Sequence, residues 1–118
     1  MDIYKVPFTT AANIATVYTE RAKGRVYCIF YDYGDADTGM KIVVTGEETG
    51  VPIFTLDGTG TADVTWYPRE AAHKVSDGGA TTVVDELQMP PVFHERIKIV
   101  ITEATGIDTG TFWIGVKD

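Results

Sequence analysis

The run ERIKIVITE, residues 95–103, alternates side chains with a period of two. Ile97, Ile99 and Ile101 fall on one side, and Lys98, Val100 and Thr102 on the other. A helix would spread the three isoleucines around its circumference, whereas a strand lines them along one face. The same rhythm recurs along the chain. RVYCIFYD sets Val26, Cys28 and Phe30 against Tyr27, Ile29 and Tyr31, and MKIVVTG aligns Met40, Ile42 and Val44. ADVTWYP aligns Val64 with Trp66, and GTFWIGVK aligns Phe112, Ile114 and Val116. Valine, isoleucine, threonine and aromatic residues dominate these runs, as suits a half-buried pleated surface.

Between them stand short breaks that pair glycine with Asp or Thr: DYGDADTG, TGEETG, LDGTGTA, SDGGA and ATGIDTG. Such residues supply positive φ and local side-chain hydrogen bonds. The pattern predicts about eight short strands in one all-β domain over residues 1–118. The expected architecture is an antiparallel β-sandwich of jelly-roll-like form, with residues 1–12 as an extended N-terminal arm. Residues 97–103 and 111–117 flank a short glycine-containing loop and read as a hairpin. AANIATVYTERAK fits either period, and its central Thr and Val favour a strand. TTVVDELQMPPVFHE is different, because Pro90 and Pro91 cannot donate to a ladder. It reads as a long crossover or an arm, the alternative being a surface loop that joins two sheets.

A chain of 118 residues, 44% hydrophobic and 23% charged, is long enough and apolar enough to bury its own core. Its formal net charge of -7, with scattered lysines and arginines, argues against a nucleic-acid partner. Its one cysteine, Cys28, excludes an intrachain disulfide and a multi-cysteine zinc site. The start MDIYKVPFTT lacks the basic and continuous apolar regions of a signal peptide. The expectation is synthesis and folding in a cytoplasm, with no membrane role.

No catalytic or cofactor constellation is legible. The aspartates of DYGDADTG fail the calcium-loop pattern of the EF-hand beyond Asp35 and Asp37, although calcium tolerates less regular oxygen sets. A solvated hairpin turn accounts for the same residues. Ser76, the only serine, is not on a nucleophile elbow, and alternation directs His73, three residues away, to the opposite face. His94 belongs to no ligand-spaced motif. Cys28, set in an apolar strand, reads as an inert buried thiol. Neighbours Glu47 and Glu48 point apart, unlike a glycosidase pair. The expectation is therefore no enzyme, no cofactor and no metal.

The adjacent pairs Trp66–Tyr67 and Phe112–Trp113 each require one ring to leave the core if a single sheet face is buried. An outward ring is suited to stacking on a sugar or anchoring a protein interface. The candidate contact residues are Pro90, Pro91, Val92 and Phe93 in the proline segment, and Tyr4, Val6 and Phe8 near the N-terminus.

The phrases DTGMKIVVTGEETGVPI, DVTWYPREAAHKV and ERIKIVI, the last ahead of GTFWIGV, resemble small β-rich structural proteins of tailed bacteriophages. They fall between Gly24 and Val116, and they are structural phrases with no active-site signature. The resemblance implies a virion component similar to capsid decoration, or cement, proteins. Such a protein binds the major capsid protein on the shell surface and self-associates, with trimers matching threefold positions. A head-tail connector, a tail or fibre component, and a carbohydrate- or cell-surface-binding module are the alternatives.

Overall fold

The computed structural model describes residues 1–35, 39–71 and 87–118. The described residues contain no helix, and so none that is long and apolar enough to cross a membrane. They form nine strands: β1 (Asp2–Thr9), β2 (Ala15–Tyr33), β3 (Lys41–Gly46), β4 (Pro52–Asp57), β5 (Val64–Trp66), β6 (Glu70–Ala71), β7 (Leu87–Gln88), β8 (Pro91–Thr102) and β9 (Thr109–Lys117). Seven build one open antiparallel sheet in the order β1-β9-β2-β8-β3-β4, with β5 added to β2, while β6 and β7 pair separately. The all-β expectation holds.

The long strand β2 organises the sheet by changing partners. Ala15 to Arg25 pair with β8, and Arg25 to Tyr33 pair with β9 on the opposite edge. Where β8 ends, β5 takes its place beside Ile29, Phe30 and Tyr31. Gly24 marks the change. Its φ of +122° is strained for any other residue, and a Cβ there would lie 2.1 Å from the Lys117 carbonyl oxygen.

Bulges keep the core side of β2 in phase. Thr19 and Ala22 are both buried, three residues apart, across the register shift between Tyr18 and Arg21. Val26 and Ile29 are likewise both buried, across the shift between Val26 and Cys28. This slip corrects the expected alternation of RVYCIFYD. Val26 shares the core side with Ile29 and Tyr31, whereas Cys28 and Phe30 are only half-buried. On β8, the shift between Ala22 and Gly24, with His94 at φ 49°, brings Val92 back to the side of Glu95, Ile97, Ile99 and Ile101.

The other stripes fold as read. Ile97, Ile99, Ile101, Met40, Ile42, Phe112 and Ile114 have no exposed surface. Each large side chain so buried contributes roughly 1.5–3 kcal/mol against exposure. A run of rings crosses the core, with centroids 5.2–5.5 Å apart: Phe8 on Phe112, Phe112 on Tyr31, Tyr31 on Trp66, and Trp66 on Phe54.

Two expected turns are connections of another kind. The strands expected to form a C-terminal hairpin, β8 and β9, do not pair with each other; both pair with β2. Residues 103–108 instead cross that end of β2, where the Ala104 N–H donates to the Asn13 carbonyl and the Gly106 N–H to Asn13 Oδ1. DYGDADTG is not a hairpin turn either, because β3 pairs with β8 and β4 and not with β2.

Candidate interaction surface

With Tyr4, Val6 and Phe8 facing inward along β1, the alternate residues Ile3, Lys5 and Pro7 face outward. The antiparallel register carries that outward face across three strands. Ile3 lies beside Gly115, and Gly115 beside Cys28. Lys5 lies beside Trp113, Trp113 beside Phe30, and Phe30 beside Thr65. Pro7 lies beside Thr111, and Thr111 beside Asp32. Directly opposed residues share a face, so these three rows form one surface.

Its centre is apolar and smooth. Gly115 brings no side chain, and a Cβ on it would meet Met1 Sδ at 2.9 Å and Cys28 Sγ at 3.1 Å. Ile3 is 54% exposed and Met1 63%. Trp113 and Phe30 are only partly buried, while their chain neighbours Phe112 and Ile29 are wholly buried. The Lys5 ammonium stands 5.1 Å from the Trp113 ring centroid, a cation–π contact. At the far end the Lys117 ammonium lies 4.4 Å from the Tyr27 ring, and the Arg69 guanidinium 5.4 Å from it.

A concavity of about 380 Å³ lies along β4. Pro52, Phe54, Tyr67, Arg69 and Pro90 are among its lining residues. Tyr67 is 57% exposed and meets Tyr27 edge-on at 5.8 Å. Both adjacent aromatic pairs therefore divide as expected, Phe112 and Trp66 packing with the core and Trp113 and Tyr67 turning outward.

The contact residues chosen from sequence are spread through the fold and do not form one patch. Val6 and Phe8 are buried in the core, and Tyr4 is half-buried against it. Residues 2–9 are extended, but they are paired with β9 along their whole length and do not form a free arm. Pro90 and Val92 are buried and Pro91 is half-buried beside Arg25. Pro91 is tolerated because it opens β8, and the Pro90 carbonyl accepts the Val26 N–H at 2.9 Å. Of the seven, Phe93 is the one largely exposed, at 58%.

The ionisable groups near these surfaces serve the fold. Asp35 Oδ1 accepts the Thr109 N–H at 2.6 Å and its hydroxyl at 2.8 Å, and these bonds hold its carboxyl below the usual range. Asp37, His73 and Ser76 lie outside the described residues. Among the described residues, no three acidic, histidine or cysteine side chains gather as a metal would require.

The clearest polar site missed from sequence is Glu95, buried in β8 and bonded to the turn after β3. Its Oε1 accepts the N–H groups of Glu48 and Thr49, and its Oε2 the Thr49 hydroxyl at 2.7 Å. Burial pushes this carboxyl up, but the donors of Thr49, Glu48 and Phe93 outweigh it and set the value below normal. Outside it, Arg96 makes a bidentate pair with Glu47 and lies 4.1 Å from the Tyr18 ring centroid. Arg21 bonds Glu48 at 2.9 Å. Compared with protein families, curated proteins and solved structures, the chain matches none.

Proposed function

We propose that this chain is a non-enzymatic structural protein of a bacteriophage particle, and that it decorates the capsid by binding the major capsid protein. One observation supports a role in protein contacts: an apolar outward face that carries the exposed Ile3 and Met1 beside the partly buried Trp113, Phe30 and Cys28, on a sheet whose other side holds the core. An aromatic-centred surface of this kind is what a protein interface needs, whereas it is costly to leave in water. The phage assignment rests on the quoted phrases of the sequence. Decoration needs no chemistry: small rigid blocks repeated over a lattice add contact area, and multivalent display raises the effective affinity.

The same reading includes the finer architecture. The ring stack from Phe8 to Phe54 supports a sheet folded over on itself in sandwich fashion, with β2 passing from one layer to the other. Magnetisation transfer between the Trp66 and Phe54 rings in solution tests that packing.

The functional test is compositional. Purified particles of the phage that encodes the chain should contain it in many copies by mass spectrometry, and cryo-microscopy should place it on the head. Particles devoid of it would end the proposal. The exposed Tyr67 beside Arg69 in the β4 concavity favours a second reading, a carbohydrate-binding module. Saturable binding on a glycan array, abolished by Tyr67→Ala, would support that one instead.

A further inference from the structure

We infer that the outward face of β1, β9 and β2 is the contact between two copies of this chain, packed about a two-fold axis that crosses β9 between Thr111 and Trp113. This inference rests on the reading of that face as an interaction surface, gives it to a second copy, and leaves capsid contact to surfaces outside it, such as the exposed Phe93.

A two-fold contact has to be complementary to itself. The face meets this condition. Its charges flank the apolar centre with opposite signs on opposite sides of β9: Lys5 on β1, and Asp32 on β2 beside Thr111. Neither is in an ion pair among the described residues. Neighbouring strands are about 4.8 Å apart and residues on one face are spaced about 6.8 Å along a strand. The midpoint between Lys5 and Asp32 therefore lies over β9, between Thr111 and Trp113. A two-fold axis lying in the interface through that point, perpendicular to the line from Lys5 to Asp32, sets each Lys5 against the other copy's Asp32, twice per pair. The same operation lays each Trp113 beside the other copy's Trp113 and Phe30, in the middle of the contact, where aromatic anchors concentrate.

Charge also favours this face over others for self-contact. The whole chain carries -7, so two copies repel at most approaches. The three rows of this face balance one lysine against one aspartate, so contact there brings no excess of like charge together.

Sedimentation velocity of the full chain across a wide concentration series tests the inference, with circular dichroism reporting the fold. The wild type should sediment as a dimer, and Trp113→Glu as a monomer with an unchanged spectrum. Lys5→Glu alone and Asp32→Lys alone should each weaken the dimer roughly tenfold or more, because each sets like charges together. Lys5→Glu combined with Asp32→Lys should restore it. That rescue keeps the test decisive if Trp113→Glu fails to fold. A wild type that stays monomeric at every concentration, or a dimer indifferent to both charge reversals, overturns the inference. The particle-composition test reads the functional proposal separately, so either failure can be told from the other.

Discussion

Glu95 Oε1 receives the Glu48 N–H at 2.7 Å and the Thr49 N–H at 2.9 Å, joining β8 to a turn 46 residues away in sequence. A single buried carboxylate oxygen thus holds two backbone donors that would otherwise lack a partner. Glu95→Gln keeps the shape but removes the charge; with its oxygen kept for the two N–H groups, its amide nitrogen can use only the Thr49 hydroxyl as an acceptor, and its second N–H is left over. The expected loss is about 1.5–3 kcal/mol, read from urea unfolding at neutral pH. Removal of the Arg21–Glu48 pair by Glu48→Ala should cost about 1 kcal/mol or less, because that pair is exposed.

Glu95 also gives the fold an acid sensitivity of defined sign. Its folded-state pKa lies below the ordinary carboxylate value, so the folded form holds the proton less tightly than the unfolded form. The resulting stability is fully present above the ordinary value and is lost as pH falls through the lowered one. Asp35 and Glu47 are shifted the same way, but Asp35 is exposed and Glu47 is partly open to solvent beside Arg96, so both are more screened. Urea midpoints measured from neutral pH down to about pH 3 should fall. The fall should be shallower in Glu95→Gln, and equal slopes would show that the carboxylate is not its source.

Gly24→Ala is expected to be among the more damaging small substitutions. The added methyl meets the Lys117 carbonyl, and the backbone sits where L-residues rarely go. A cost of about 1–3 kcal/mol is expected, with weakened pairing between β2 and β9 seen as faster amide exchange along the paired stretch of β9.

Phe112 and Phe93 should separate core from surface. Phe112→Ala removes the ring stacked between Phe8 and Tyr31 and should cost about 3–5 kcal/mol. Phe93→Ala should leave thermal unfolding within about 0.5 kcal/mol of the parent, because the ring is mostly in solvent.

Strand identity was legible because alternation is a local property. Met40, Ile42 and Val44, the isoleucines of β8, and Phe112, Ile114 and Val116 all face the core as their spacing implies. The phase of β2 was not legible, since each bulge depends on a partner strand far away in sequence. Val26 and Cys28 therefore separated, and a thiol read as core came to the outward face. Pairing escaped for a similar reason. ATGIDTG has the composition of a hairpin loop, and the contacts with Asn13 that carry it across to another edge leave no mark within it. The outward ring of each aromatic pair was legible, because adjacent strand residues point apart. Glu95 was not, because its donors belong to a turn that looks self-sufficient in sequence.

The interior place of β9 has a consequence for synthesis. While a ribosome is still making residues 109–117, β1 and the second half of β2 each have an open ladder with nothing to close it. Docking of this late strand is then the step that completes the sheet, and it joins segments separated by most of the chain. Until that strand emerges the sheet stays open between β1 and β2, and chaperones that shield open strand edges should raise the yield.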